Sequence, residues 1–292
     1  MRNSVLWTHE TNVWDQTLIR ELDGSFRLVR RYHETVAYPT LDKTVWCPPL
    51  YPAPTPAPNG EPQQTLEYFL DVGSRFVDLF PTLLDPAPEC VRFANTLAQN
   101  LARFEPPKVL VGAAMANPHM TRLLDALRHG ATGKPSPLRT IFGDAHMNSL
   151  LALCRELKDL KAERRSHGNC SLSNIFSDHN LTTFRVPVGP EIAQLGIEFD
   201  LGWALADLVE LLAFSPALSQ KDHVATEILG TMIDGVRSAG AKLSADHTID
   251  YAKMRLALHM IDFTATTGDI EAARRSFHIV FPVLQSCSHS GF

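Results

Sequence analysis

At 292 residues, 45% hydrophobic and 20% charged, the chain has the composition of an ordinary globular protein, large enough for one two-lobed unit or two domains. A net charge of −5 with scattered Lys and Arg leaves no electrostatic footprint for nucleic acid, and no apolar run reaches the length of a membrane span. Five dispersed cysteines, Cys47, Cys90, Cys154, Cys170 and Cys287, have no C-x-x-C spacing, which argues for reduced thiols in a cytoplasmic protein and against a disulfide framework or zinc site; Met1 to Trp14 lacks an apolar h-region, so no signal peptide is expected.

The first fifty residues read as strands. Leu18, Ile19 and Leu22 precede Asp23-Gly24, and the alternating run Ser25 to Tyr32 follows, a pattern that predicts a hairpin. Residues 48–62 carry prolines at nearly every second position and are expected to be a stiff extended connector. From Gln64 the spacing of Leu66, Phe69, Leu70, Phe76, Val77 and Phe80 predicts a helix, followed by helices over Glu89–Phe104 and Met120–Leu127. Gly130 to Ser136 lacks the spacing of a phosphate loop, and Pro135 would break the helix that such a loop requires. Asp144 reads as the N-cap of a helix through Leu160. Asn180–Val188 and Ile192–Phe199 are expected as strands. Beyond them the pattern is helical over Trp203–Phe214, Asp222–Ala239, Thr248–Thr264 and Asp269–Leu284. A β-rich first fifth and an α-rich remainder suit a small lobe, residues 1–62, on a large helical lobe, residues 63–292. Apart from His146 and His167, the histidines show no pairing at i, i+4 with a third ligand nearby, so each of them reads as a surface or packed residue.

The chemistry is concentrated in two stretches. The first, His167-Gly168-Asn169 with Asn174 five residues on, has the form H-G-N-x-x-x-x-N. The second is Glu198-Phe199-Asp200, an E-x-D that leads into the helical run from Trp203. Together they resemble the catalytic and metal-binding loops of the aminoglycoside phosphotransferase and choline kinase branch of the kinase-like fold, where the motifs read H-G-D-x-x-x-x-N and I-D-F or I-D-W. The resemblance covers about residues 165–215, and residues 15–35 loosely. It implies an α+β, two-lobed protein-kinase-like fold that uses ATP and Mg²⁺ to phosphorylate a hydroxyl. It further implies that Asn174 and Glu198 are metal ligands with Asp200 an additional candidate, that Asn169 stands in the catalytic position, that His167 holds the loop, and that Arg30 on the last hairpin strand faces the nucleotide phosphates. Either Glu210 or Asp207 matches the acid of the family's following helix.

The departures bear on mechanism. Glu for Asp at 198 keeps a hard anionic oxygen, but Asn for Asp at 169 removes the base, since an amide can only orient a hydroxyl. A loose transition state asks for positioning more than for proton abstraction. Two functional readings follow. One is a phosphotransferase for a small-molecule or peptide Ser/Thr hydroxyl. Proteins of this type occur in class V lanthipeptide and thioamitide biosynthesis, where a partner lyase eliminates the phosphate, and Glu198 to Trp203 is similar to their sequences. The other, motivated by Asn169 and by the absence of the small-lobe Lys, is a pseudokinase that binds a peptide or partner enzyme.

Overall fold

The computed structural model describes residues 4–10, 14–36, 63–83, 85–104, 117–131, 136–159, 166–181, 183–189, 191–215 and 221–287; the proline-rich stretch 48–62 lies outside them. The chain divides into two compact units, the first formed by residues 1–82, 105–114 and 169–192 and the second by 83–104, 115–168 and 193–292. The first unit includes the loop from Asn169.

In the first unit, β1 (Ser4–Glu10), β2 (Trp14–Arg20), β3 (Phe26–Val36) and β4 (Gln63–Leu70) form an antiparallel sheet in sequential order. The Asp23-Gly24 turn joins β2 to β3 as expected, with Glu21 N–H donating to Ser25 O at 2.9 Å and Asp23 Oδ1 accepting from Ser25 N at 2.9 Å. The helix expected from Gln64 is instead strand β4. Leu66, Tyr68 and Leu70 are buried and Phe69 between them is 60% exposed, the two-residue period of a strand. One face of the sheet carries Trp14, Leu18, Leu28, Tyr32, Leu66, Tyr68 and Leu70 into a core with Val72 and Phe176. Gln16 and Arg30, paired across β2 and β3, lie in the same inward register and are buried with them.

A smaller sheet joins β5 (Ser74–Arg75), β6 (Phe176–Ser177) and β7 (Phe184–Arg185). Of the strand expected over 180–188 only β7 forms. The stretch expected as a strand over 192–199 makes a single bridge, Ser166 with Ala193, and becomes helix at Ile197.

The second unit is helical: α2 (Pro86–Leu101), α3 (Pro118–Ala131), α4 (Pro137–Asp159), α5 (Ile197–Ala213), α6 (Lys221–Ser238), α7 (Ala245–Thr267) and α8 (Ile270–Cys287), numbered after the four-residue α1 (Phe76–Leu79) of the first unit. Helix α4 is interrupted at Gly143 (φ 71°, ψ 162°). The non-helical residue there is Gly143 and not the expected cap Asp144, whose carboxylate accepts from Arg139 Nη1 at 2.6 Å. Helix α5 is buried on nearly every side by α2, α6, α7 and α8, which explains a run so apolar in sequence. Its Phe199 and Trp203 rings stack at 4.0 Å between centroids. Burying each such side chain contributes roughly 1.5–3 kcal/mol. The approach of α7 requires glycine at 202, because a Cβ there would lie 2.6 Å from Thr248 O and 2.7 Å from Tyr251 Cβ. No helix among the described residues is long and apolar enough to cross a membrane.

Candidate functional site

The H-G-N loop is fixed from two directions. In the helical unit, Ser166 exchanges backbone hydrogen bonds with Ala193 at 2.8 and 3.4 Å. The next two amides are taken by a single carboxylate: His167 N–H donates to Asp200 Oδ2 at 2.6 Å and Gly168 N–H to Asp200 Oδ1 at 2.8 Å. Asp200 sits in the first turn of α5 and is 1% exposed. A buried carboxylate there is stabilised by the helix N-terminus and by charge-assisted bonds to both amides. Gly168 O in turn accepts from Asn117 Nδ2 at 3.1 Å. The Asn117 side chain also caps α3 by accepting from His119 N at 2.9 Å and Met120 N at 3.3 Å. Asn117 escaped the sequence reading, although an Asn directly before Pro118 at a helix start is a readable capping signal. His167 is fully buried, its ring 5.7 Å from that of Phe104.

Glu198, two residues before Asp200, faces a different neighbour. Its Oε1 accepts from Ser244 N at 3.2 Å, while Ser244 Oγ caps α7 by accepting from His247 N at 3.3 Å. Farther along α5, Asp207 holds Arg255 of α7 at 2.8 Å and Glu210 Oε2 holds His259 Nδ1 at 2.7 Å. Both acids that the resemblance offers for the following helix thus tie α5 to α7.

The rest of the loop belongs to the sheet-bearing unit. Asn174 ends a 3₁₀ turn, Leu172–Asn174, and its Nδ2 donates back to Asn169 O at 2.8 Å. Its Oδ1 accepts from Arg30 Nη2, so the strand residue and the loop residue singled out from sequence do meet. Arg30 is wholly buried. Its guanidinium lies over the Trp14 and Tyr68 rings at 5.1 and 5.5 Å, donates to Tyr32 Oη at 3.4 Å, and stands 4.0 Å from Glu191 Oε1. Tyr32 Oη donates to that same Glu191 oxygen at 3.1 Å. Burial opposes the Arg30 charge, but Tyr32, Tyr68 and Glu191 together outweigh it and raise the guanidinium above its ordinary range. Burial, then Glu191, raises the Tyr32 hydroxyl well above its usual value. Asn169 is 2% exposed, and its Nδ2 makes no hydrogen bond. Glu191, 1% exposed, is the acid that the sequence reading missed; its partners lie some 160 residues upstream, and no local pattern marks it.

Of the residues expected to hold Mg²⁺, Asn174 has its amide oxygen engaged, Asp200 both carboxylate oxygens, and Glu198 one of its two. A hard divalent cation needs several oxygens with lone pairs turned toward it. Among the described residues Asn174 Oδ1 accepts from a guanidinium, Glu198 Oε1 from the start of α7, and both Asp200 oxygens from the loop amides. In the first unit Arg30, Asn169, Asn174 and Glu191 form one cluster; in the second His167 is joined to Asp200, while Glu198 is joined to Ser244.

No family model matches the sequence, and no curated protein sequence does. Solved structures do match. An amicoumacin kinase in complex with AMP-PNP, Ca²⁺ and Ami aligns at TM-score 0.56 and 10% identity, covering 96% of this chain and 88% of its own. A Plasmodium vivax ethanolamine kinase aligns at 0.51 and 9%, covering 98% and 84%. An aminoglycoside phosphotransferase from Alicyclobacillus acidocaldarius aligns at 0.50 and 9%, covering 97% and 90%. With its small antiparallel-sheet lobe and large helical lobe, the chain has the protein-kinase-like fold of these phosphotransferase and kinase structures.

Proposed function

We propose that the protein is a nucleotide-dependent phosphotransferase whose acceptor is a hydroxyl of a small molecule or, in natural-product biosynthesis, of a peptide Ser or Thr. The observation that carries this reading is the contact of Arg30 with Asn174, a wholly buried cation on a sheet strand held against the second Asn of the H-G-N-x-x-x-x-N loop. The fold supports it, and the names of the similar structures, kinases and phosphotransferases for amicoumacin, ethanolamine and aminoglycosides, favour a small-molecule acceptor. In the reaction the acceptor oxygen forms a bond to the terminal phosphorus of ATP. The bond from that phosphorus to its bridging oxygen breaks, and ADP leaves with the electron pair. Arg30 holds the loop through Asn174, and Asn169 orients the acceptor through its unpartnered amide. The acceptor proton passes to solvent or to phosphate, because an amide cannot take it. Asp200 keeps the loop in place without touching the reacting atoms. A cytoplasmic setting, and a partner lyase where the acceptor is a peptide, accompany this reading.

A second reading, a pseudokinase that binds a peptide or partner without transfer, is favoured by Asn169 in the base position, where an amide cannot take the acceptor proton. The two separate in one experiment. Thermal stability of the protein is followed with ATP, GTP and ADP, with and without Mg²⁺, and γ-labelled ATP is then offered with aminoglycoside, amino-alcohol and Ser/Thr-peptide acceptors. A ligand selective for the native state raises apparent stability by mass action. A shift with label transfer establishes the phosphotransferase, a shift without transfer selects the second reading, and no shift with any nucleotide ends the first.

A further inference from the structure

We propose that the Arg30 guanidinium is a built-in cation that fills the place at Asn174 Oδ1 where the resemblance expects a metal, with Glu191 as its counter-ion, so that no divalent cation binds between Asn174 and Glu191. The proposal takes from the preceding reading only the expectation of a metal at Asn174, and its test needs no nucleotide.

The geometry is that of a built site. Arg30 points from the inward face of β3, a central strand flanked by β2 and β4, so its position is set by sheet register and not by a mobile side-chain end. The guanidinium reaches Asn174 with Nη2 and Tyr32 with Nη1. Tyr32 relays to Glu191 by donating at 3.1 Å, which ties cation and carboxylate into one ring of contacts. Two aromatic faces close over the guanidinium, an environment that suits a delocalised, weakly hydrated cation. The chain also makes room for the acid. A Cβ at Gly189 would stand 2.0 Å from Glu191 Oε2 and 3.1 Å from Tyr32 Oη, so glycine there admits the carboxylate.

Charge balance leads to the same result. One buried positive and one buried negative group already neutralise each other within 4.0 Å. A divalent ion between Asn174 Oδ1 and Glu191 would add two charges beside a guanidinium that cannot deprotonate. In a buried setting that repulsion is poorly screened. The site therefore accepts a metal only after Arg30 is removed.

The test is Mn²⁺ binding followed by electron paramagnetic resonance on the full chain, with Tb³⁺ luminescence as a parallel probe, since Trp14, Tyr32 and Tyr68 surround the position. Wild type and Glu191→Gln are expected to bind Mn²⁺ equally weakly. Arg30→Gln, which removes the competing cation from beside both oxygen donors, is expected to gain a one-to-one site at least about tenfold tighter than any in wild type, and Arg30→Gln/Glu191→Gln is expected to lose it again. A one-to-one Mn²⁺ site in wild type that disappears in Glu191→Gln or Asn174→Ala overturns the proposal, as does a folded Arg30→Gln that gains nothing. Should Arg30→Gln fail to fold, wild type against Glu191→Gln and Asn174→Ala still decides. Failure of nucleotide binding alone would remove the phosphotransferase reading and leave this result standing.

Discussion

Replacing Asp200 by Asn separates an anchoring role from a metal-binding one. In the native loop two oxygens of one buried carboxylate accept the His167 and Gly168 amides at 2.6 and 2.8 Å. Each such bond to a charged acceptor contributes about 1.5–3 kcal/mol, and a buried donor left without an acceptor costs a similar amount. Asparagine keeps one acceptor oxygen, now uncharged, and turns an NH₂ toward the other amide, so donor faces donor. We expect Asp200→Asn to destabilise the helical unit by about 3 kcal/mol, which for a unit of this size lowers Tm by about 6–12 °C. A ligand carboxylate in a metal-free protein behaves in the opposite way, because removing an uncompensated buried charge costs nothing and often stabilises. Glu198→Gln is the control: glutamine can still accept from Ser244 N, so the loss should stay below about 1 kcal/mol. Calorimetry or circular-dichroism melting of the metal-free proteins measures both. An Asp200→Asn protein that melts within about 2 °C of wild type would refute the anchor and return Asp200 to the list of ligands.

Three further outcomes follow from the same geometry. Arg30→Met leaves Glu191 buried without its cation and should cost about 3–5 kcal/mol in urea unfolding, whereas Arg30→Met/Glu191→Leu should recover part of it; strictly additive losses would mean that the two side chains are not coupled. Gly202→Ala improves helix propensity but drives a methyl to 2.6 Å from Thr248 O, so stability should fall by about 1–3 kcal/mol, and an unchanged urea midpoint would contradict the close α5–α7 approach. For His259, burial lowers the imidazole pKa but the Glu210 bond outweighs it, leaving the group above its ordinary 6.5. The folded state thus binds the proton more tightly than the unfolded chain. Its contribution is complete below pH 6.5 and is lost as pH rises through the folded value, so the Tm advantage of wild type over His259→Gln should shrink as the pH is raised above 6.5; an advantage that is constant with pH would sink the assignment.

What could be read in advance was what is local. The H-G-N-x-x-x-x-N loop, the Asp23-Gly24 hairpin and helices α5 to α8 announce themselves within twenty residues, because turn chemistry and helical periodicity are short-range properties. Strand β4 was hidden by one side chain. Phe69, 60% exposed on the outer face, completes a false i, i+3, i+4 pattern with Leu66 and Leu70, although Leu66, Tyr68 and Leu70 alone follow the true period of two. The meaning of Glu198-Phe199-Asp200 was hidden by geometry. Read as the end of a strand, the segment offers two carboxylates to one site. Read as the first turn of α5, which it is, residues two apart lie about 200° apart around the axis, and the two acids must serve different neighbours. That rotation is why Asp200 reaches the loop amides while Glu198 reaches α7. The acid that faces Arg30 in the first unit is Glu191, from the segment after β7, and its distance in sequence from β3 is why no local pattern revealed it.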